Sequence, residues 1–457
     1  MVDHYCAKRL TELHPDTDSP RPPIATAETA NVLAWYAAIV VIGLNLRPLL
    51  TSISPLMTTI REATGLSFYG ASLLTSLPVV AMGLGAFGTG LLARGLGETR
   101  GVALGLTAIA AACAARAFAA SGGALMLTAA AAGAGVAAIQ ALLPAVIKQR
   151  FAARVPLAMG LFSASIMGGG GLGASLSPWA ARIGGTWHAG LAIWAMPALA
   201  ALVVWGALNG VLGGARRHRA QRAAHAQAAA GPASAQTQTQ TRAASMPVWR
   251  KRRAWTLGLH FGLVNGGYTS LVAWLPAYYQ QHGASVEASG SLLAAMTAFQ
   301  AASALLLPLA AAAFTDRRPW LVLSLCAQLA GVLGLAAWPE AAPLLWVAAA
   351  GAGLGGTFSV TLVTVLDHCA DHRLAARLIA FVQGLGFVIA ALAPIVAGRV
   401  RDLTGGFTGA WVMLAVSISA MIALTFAFSP RSYGRWLGAQ RGVEDGRIAQ
   451  SRVALDA

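Results

Sequence analysis

The chain has 457 residues, of which 57% are hydrophobic and 11% are charged, and its formal net charge is +16. This composition excludes a soluble domain, which needs far more polar surface, and indicates an integral membrane protein. Basic and aromatic residues are not interleaved as on a nucleic-acid-binding surface, so we expect no nucleic-acid partner and take the lipid bilayer as the surroundings.

Twelve apolar stretches are long enough, at about 20 residues each, to cross a bilayer. Their centres lie near Gly43, Met82, Ala111, Val136, Met167, Leu199, Asn265, Ala302, Leu329, Leu354, Val388 and Ala420. We therefore predict an all-α membrane protein with twelve transmembrane helices in two six-helix bundles.

A polar, basic segment separates the first six stretches from the last six. Residues 213–253 include ARRHRAQR, QTQTQT and WRKRR, a composition typical of a solvated, disordered linker. We predict a tail at 1–32, a first bundle at 33–212, this linker, a second bundle at 254–429 and a tail at 430–457. In many carriers two such halves share a site near the midplane of the membrane.

Basic residues are distributed unevenly between the two ends of the predicted helices. An even number of crossings places both termini on one side, where the tails and loops carry 26 of the 32 lysines and arginines. The opposite loops carry five, namely Arg61, Arg116, Arg182, Arg399 and Arg401. By the positive-inside rule both termini are cytoplasmic, and we expect a multi-pass inner-membrane protein.

Arg47 lies within the first apolar stretch, with no acidic residue within ten positions. A charge near the bilayer centre costs about 2.5 to 3.5 kcal/mol and usually faces a cavity on a substrate or ion path. Snorkelling to the interface is the alternative, but it would have to cover about 12 Å of helix. Pro48 adds a second signal, because it leaves the carbonyl of Leu44 without its helical donor. Thr51 shares the face of Arg47, and we expect Asn45, on the other face, to bond a neighbouring helix.

None of the sixteen carboxylates lies inside a predicted helix. The chain therefore lacks the buried acid on which many proton-driven carriers depend. A cationic cavity without acids favours an anionic or electron-rich substrate, and a guanidinium can donate two parallel hydrogen bonds to a carboxylate-like group.

Other polar residues inside predicted helices are candidate ligands. His260 is the one histidine well inside a helix, and it could couple protons, line the cavity or bond a neighbouring helix. Asn265 and Tyr268 share a helical face, whereas Gln140 and Gln383 could hold a solute or bond across helices. The predicted substrate-binding residues are Arg47, Thr51, Gln140, His260, Asn265, Tyr268 and Gln383.

Glycines are concentrated in the fifth and eleventh stretches, which we expect to end in Pro178 and Pro394. Small residues allow close packing of transmembrane helices, and we assign this role to Gly169, Gly171, Gly173, Gly384 and Gly386. The run GGGGLG lacks the preceding strand of a phosphate-binding loop, and DHCADH, residues 367–372, lacks a second set of metal ligands. With no catalytic constellation either, we expect no cofactor, no metal and no enzymatic activity.

Four motifs carry a resemblance to the major facilitator superfamily, and within it to the cyanate and 2-nitroimidazole transporter family. They are NLRPLLTSISPL at Asn45–Leu56, LLPAVIKQRF at Leu142–Phe151, WLP at Trp274–Pro276, and FVQGLGFVIAALAP with RDLTG between Phe381 and Gly405. The resemblance implies two bundles that rock about a central cavity, with Arg47 in the intramembrane NLRP segment.

The segment GLLARGLGETR resembles the superfamily's gating loop between the second and third helices. We assign to this gate Gly90, Arg94, Gly97 and Arg100. Arg94 stands where most of the superfamily has an aspartate. Gln140 stands where the resemblance leads us to expect an asparagine, and Ile379 and Ala380 stand where it leads us to expect a serine.

These observations predict a monomeric secondary transporter that moves a small anion or polar solute by alternating access. Its substrate would be cyanate-like, or a small carboxylate or nitro compound. Two alternatives stay open: an exporter of drug-like amphiphiles, in which Arg47 is structural, and a membrane sensor whose linker binds a cytosolic partner or anionic lipid.

Overall fold

The computed structural model describes residues 24–151, 154–210, 248–368 and 372–430. Most of the predicted tails and most of the predicted linker lie outside these ranges; residues 24–32 of the predicted first tail belong to helix α1. The described residues form helices and turns, with no strand among them. The all-α class predicted from the sequence is therefore confirmed.

Each half of the chain supplies its own set of helices. The helices of the first half are α1 Ile24–Leu44, α2 Pro48–Thr51, α3 Met57–Thr64, α4 Phe68–Leu96, α5 Glu98–Ala115, α6 Gly122–Arg150, α7 Val155–Ile183, α8 Trp187–Ala192 and α9 195–210. Those of the second half are α10 Arg252–Gln281, α11 Val286–Ala311, α12 Arg318–Ala337, α13 Pro343–Asp367, α14 His372–Thr404 and α15 Thr408–Thr425.

Eleven helical segments within the described ranges are long and apolar enough to cross a membrane. The remaining predicted crossing is α10. It has 30 residues, but its sequence is more polar and includes a histidine, an asparagine and several tyrosines. Its side chains are almost all buried against other helices, so these polar groups do not meet lipid. With α10 the count agrees with the twelve predicted crossings.

The helix contacts of the first half recur in the second. In the first half α4 and α5 pack on α6, and α1 packs on α7; in the second, α11 and α12 pack on α13, and α10 packs on α14. The halves meet chiefly where α4 packs against α14 and α7 against α11, which are again corresponding pairs. This repetition is that of two similar bundles facing each other.

The two ends of the bundle differ in charge. The C-terminus of α6 and the N-termini of α10 and α12 lie at the same end of the bundle, and they carry Arg150, Arg252 and Arg318. We call it the basic end. The opposite end carries the α3–α4, α10–α11 and α14–α15 connections.

The first crossing is interrupted at the site of Arg47. Helix α1 ends at Leu44 and α2 begins at Pro48, which has no amide donor for the Leu44 carbonyl. Helix α7 covers the break, and a Cβ at Gly169 would collide with the Leu44 carbonyl oxygen. Asn45 donates from Nδ2 to the carbonyls of Val41 at 2.7 Å and of Pro197 in α9 at 3.2 Å. The predicted bond of Asn45 to a neighbouring helix is confirmed.

Two helices do not end where the sequence suggested. Helix α7 continues past Pro178 to Ile183, and α14 continues past Pro394 to Thr404. Pro394 has no amide hydrogen, so the carbonyl of Ala390 lacks its helical donor. The Thr269 hydroxyl of α10 donates to that carbonyl at 3.0 Å. A hydroxyl from a neighbouring helix thus replaces the missing amide, which allows α14 to continue.

Candidate functional site

Arg47 lies between the halves, with its guanidinium carbon 4.5 Å from the ring centroid of Tyr268 in α10. Only 6% of its surface is exposed, and its Nε has no hydrogen-bond partner. Within the described part of the chain no carboxylate is buried, and none pairs with Arg47. A cation–π contact stabilises the guanidinium but leaves its donors free, so the charge can receive an anion.

Small residues of α7 position Arg47. A Cβ at Gly170 would lie 3.5 Å from the Cβ of Arg47, and a Cβ at Gly173 would collide with Thr51 and Pro48. The hydroxyl of Thr51 is fully buried and donates to the Arg47 carbonyl at 3.3 Å. The structure thus brings Thr51 next to Arg47, with its hydroxyl turned to the backbone.

Asn265 lies one turn before Tyr268 on α10 and is 4% exposed. Its Nδ2 donates to the Phe261 carbonyl at 2.8 Å, while its side-chain oxygen accepts no hydrogen bond from the described residues. Arg47 and Tyr268 are thus in contact at the buried centre of the candidate site, and Asn265 lies one turn away from Tyr268 on the same helix.

A cavity of about 390 Å³ lies between α4 and α6 of the first half and α14 of the second. Its polar lining consists of Gln140, Gln383 and Lys148, among apolar residues that include Pro144 and Phe387. Lys148 is exposed in the last turn of α6, so the cavity reaches the basic end.

The helix positions give the depth of these groups. Gln140 on α6 and Gln383 on α14 both lie about 15 Å along their helices from the basic end, at 1.5 Å per residue. Tyr268 lies about 24 Å along α10 from the same end. The two glutamines therefore lie at one level, and Arg47 with Tyr268 lies about 9 Å deeper.

The sequence reasoning did not single out Lys148. It follows Gln140 and Pro144 at intervals of four residues, so all three share one face of α6. That spacing, together with the position of Lys148 in the motif LLPAVIKQRF, could have identified it.

The structure does not bring His260 to the cavity. Its side chain is fully buried in the second half, where Nδ1 lies 3.4 Å from the Thr361 hydroxyl and Nε2 lies 3.3 Å from the Thr425 hydroxyl. Of the alternatives considered from the sequence, the contacts agree with a histidine that bonds neighbouring helices.

The predicted gating loop is largely helical. Helix α4 continues to Leu96, and α5 begins at Glu98, so Gly97 alone makes the turn, with φ of +70°. A positive φ of this size suits glycine. Arg100 is exposed in the first turn of α5, whereas the surroundings of Gly90 and Arg94 lie outside the described side chains.

The other glycines assigned to packing lie at helix contacts. A Cβ at Gly171 would lie 3.7 Å from the Ala294 carbonyl oxygen of α11, across the two halves. A Cβ at Gly384 would meet the Phe87 ring of α4, and one at Gly386 would collide with Phe261 of α10.

The count of basic residues assumed that Arg116 lies in a loop outside the helices, but its side chain is buried in the first half. It is 1% exposed, and it donates to the Leu49 carbonyl and to the Thr128 hydroxyl, both at 3.3 Å. A donor was needed there, because Leu49 belongs to the interrupted first crossing and its carbonyl has no partner from the helix backbone.

Residues 37–394 match the family described as the Major Facilitator Superfamily. The chain belongs to this superfamily. It is 44% identical over 392 residues, which are 86% of this chain and 96% of the relative, to the cyanate transport protein CynX of Escherichia coli strain K12. It is 29% identical over 401 residues, 86% of this chain and 94% of the relative, to the 2-nitroimidazole transporter of the same strain.

Solved structures of other transport proteins share the fold. The D-xylose-proton symporter gives a TM-score of 0.67 at 15% identity, over 87% of this chain and 98% of that one. A bacterial homolog of the human lysosomal transporter Spinster, in an inward-facing conformation, gives 0.66 at 15% identity, over 91% and 99%. The family, the major facilitator fold and the class of function, transport of a small solute across a membrane, are as the sequence predicted.

Proposed function

We propose that the protein is a secondary active transporter of a small anion, such as cyanate or a small carboxylate, in the inner membrane. The observation that carries this proposal is Arg47, a buried cation between the two halves that pairs with no carboxylate in the described ranges. An anion in contact with it would supply the missing charge. The similarity to the cyanate transport protein CynX supports the same substrate class.

The solute path runs from the basic end to Arg47. Lys148 would attract an anion at the entrance, and Gln140 and Gln383 would orient it from opposite halves before it reaches Arg47. The positive-inside rule places the basic end in the cytoplasm, so both termini are cytoplasmic. The anion would then bind between the halves and favour their closure around it by contacting both.

Contacts across the opposite end support an inward-facing state. The Thr58 hydroxyl of α3 donates to Gln280 Oε1 of α10 at 2.7 Å, and the Gln280 Nε2 donates to the Pro55 carbonyl at 2.8 Å. These bonds join the two halves, while the cavity reaches the basic end. Alternating access would reverse this arrangement.

Selectivity would be set in the cavity wall. Gln140, Ile379 and Ala380 all line the cavity, and at these positions the chain departs from the residues that the family resemblance led us to expect. A longer amide and the loss of a hydroxyl change the hydrogen bonds offered to a solute. We therefore expect the order of preference among small anions to differ from that of the relatives.

The proposal is tested by thermal unfolding and uptake into proteoliposomes, with wild type, Arg47→Gln and Arg47→Lys. The panel contains cyanate, thiocyanate, formate, acetate and 2-nitroimidazole. An anion at one hundred times its Kd should stabilise wild type by about 2.7 kcal/mol. We expect no shift in Arg47→Gln and a reduced shift in Arg47→Lys, which keeps the charge but not the planar fork.

Equal shifts and uptake in wild type and Arg47→Gln would contradict the proposal and make Arg47 structural. Transport of amphiphilic drugs by both proteins would then favour the exporter.

A further inference from the structure

Two arginines from different halves flank one phenylalanine ring at the opposite end. The guanidinium carbons of Arg61 in α3 and Arg401 in α14 lie 3.3 Å and 4.6 Å from the ring centroid of Phe68. They are therefore no more than about 8 Å apart. A cavity of about 310 Å³ lies beside them, lined by Thr58, Arg61, Phe68, Ala277, Gln280, Gln281 and Arg401.

These two cations have neutral partners. Arg61 Nε donates to the Leu66 carbonyl at 3.0 Å, and the Gln281 amide, turned so that its oxygen faces Arg401, accepts from Arg401 Nε at 3.2 Å. In the described ranges neither arginine forms an ion pair. Two like charges this close repel each other unless an anion lies between them.

The carboxylate of Asp402, next to Arg401 in the chain, already accepts two hydrogen bonds. Both oxygens of Asp402 accept from backbone amides at the start of α4, from Phe68 at 3.1 Å and from Tyr69 at 2.9 Å. Burial lowers the pKa of Arg61; the charge of Asp402 opposes this effect, the charge of Arg401 adds to it, and the charge of Glu62 opposes it more weakly. Asp402 thus compensates the two arginines incompletely.

We propose that this cavity, the opposite-end anion site, binds a small monovalent anion with linear or planar geometry. The guanidinium N–H groups of Arg61 and Arg401 would donate hydrogen bonds to this anion from the two halves. Gln280 lies 12 residues beyond Tyr268 on α10, so the site lies about 18 Å from the central pair along that helix. The proposal goes beyond the transport function and does not require Arg47 to be a ligand.

Occupancy of this site has a conformational consequence. The anion would join α3 of the first half to α14 of the second, in the state in which the opposite end is closed. Separation of the halves at that end would break these contacts, so the bound anion should favour the closed arrangement.

The test is equilibrium dialysis of radiolabelled thiocyanate against the purified full-length protein at constant ionic strength. Wild type should bind two anions per chain. The double variant Arg61→Gln, Arg401→Gln should lose one of them, with at least a tenfold loss of affinity at that site. The matched control is Arg182→Gln, Arg399→Gln, which removes two exposed arginines from the same end and should keep both anions.

A second variant avoids removal of the arginines. Gln281 is exposed beside Arg401, so Gln281→Glu introduces a carboxylate with little risk to folding. We expect this variant to weaken the same anion at least tenfold, because the new charge neutralises Arg401.

Two anions bound by both Arg61→Gln, Arg401→Gln and Gln281→Glu would overturn the inference, as would an equal loss in the control. A wild type that binds one anion, lost in Arg47→Gln, would overturn it while supporting the proposed function. If Arg47→Gln keeps two anions and the double variant loses one, the inference holds and the proposed function fails.

Discussion

Arg47 and Arg116 are both buried arginines, but their contacts give them different roles. Arg116 donates to a carbonyl of the interrupted first crossing and to a hydroxyl of α6, so it completes the structure of the first half. Among the described residues the Arg47 guanidinium has a cation–π contact with Tyr268 but no side-chain hydrogen bond or ion pair. The difference in contacts is the reason that the proposed function assigns anion binding to Arg47 rather than to Arg116.

Tyr268 should act on Arg47 through its ring rather than its hydroxyl. Tyr268→Phe keeps the ring and should retain anion affinity, whereas Tyr268→Leu removes the cation–π contact. A contact of about 0.5 to 2 kcal/mol corresponds to a roughly 2- to 30-fold weaker Kd in Tyr268→Leu. Titration of both variants with thiocyanate measures this, and equal affinities in Tyr268→Leu and wild type would show that the ring does not position Arg47.

His368 should make stability depend on pH. It is 3% exposed after α13, its Nδ1 donates to the Thr364 carbonyl at 2.6 Å, and its Nε2 accepts from Arg253 at 3.1 Å. Burial, together with the weaker effect of Arg253 and against that of the Thr364 carbonyl, lowers the pKa of His368 to about 4. In the unfolded chain the pKa of a histidine is about 6.5. The neutral, buried His368 therefore makes its full contribution to folding stability above about pH 6.5, and this contribution is lost as the pH falls toward 4.

Protonation of His368 should lower the free energy of unfolding by on the order of 3 kcal/mol at pH 4 and below. Thermal unfolding between pH 7 and pH 4 should show a smaller fall in Tm for His368→Gln than for wild type. His282→Gln, at an exposed histidine, is the control and should follow wild type. The same pH dependence in all three proteins would contradict the assignment.

Helix α7 is built to cover the break between α1 and α2. Its backbone approaches the Leu44 carbonyl at Gly169 and the Pro48–Thr51 turn at Gly173, where no side chain could fit. A backbone carbonyl in a membrane needs a protein surface rather than lipid around it. The glycines of α7 therefore belong to the same structural unit as Arg47.

Gly169→Ala should destabilise this unit. The added Cβ collides with the Leu44 carbonyl, and overpacking of this kind costs about 1 to 3 kcal/mol. Gly168→Ala is the matched control, because its Cβ would lie 3.6 Å from the nearest atom, a methyl carbon of Leu44. We expect a lower Tm and lower uptake for Gly169→Ala alone, and equal Tm values for the two variants would refute the role of Gly169.

The halves are held together differently at the two ends of the bundle. At the opposite end, hydrogen bonds of Gln280 and Asp402 join the first half to the second. Toward the basic end a cavity separates α6 from α14. Transport requires this difference to reverse, so the bonds at the opposite end must be weak enough to break.

Asp402→Ala should shift the molecule toward opening at the opposite end. Loss of a helix N-cap costs about 0.5 to 2 kcal/mol, which changes the ratio of the two states about 2- to 30-fold. The reporter is Ala277→Cys, a position 3% exposed, in a background without the four native cysteines. We expect faster labelling by a membrane-impermeant maleimide with Asp402→Ala than with Glu340→Ala, an exposed acid at the same end. Equal rates would exclude Asp402 from the closure.

Several features could be predicted from the sequence because the requirements for crossing a bilayer apply to each helix separately. About 20 apolar residues are needed for any crossing, and an isolated charge is costly wherever it occurs. These rules predicted the twelve crossings and the Leu44 carbonyl left without a donor before Pro48, and they singled out Arg47 as a candidate ligand. The spacing of Asn265 and Tyr268 on one helix was equally local, and the structure places the Tyr268 ring beside Arg47.

Contacts between helices distant in sequence required the tertiary structure. Arg116 was expected in a loop but donates to Leu49, 67 residues away, and His260 was a candidate ligand but lies between Thr361 and Thr425. Lys148 joins Gln383 in a cavity wall formed by both halves. The partner of a polar group depends on which helices pack against its own, and that is decided by the fit of all the helices together.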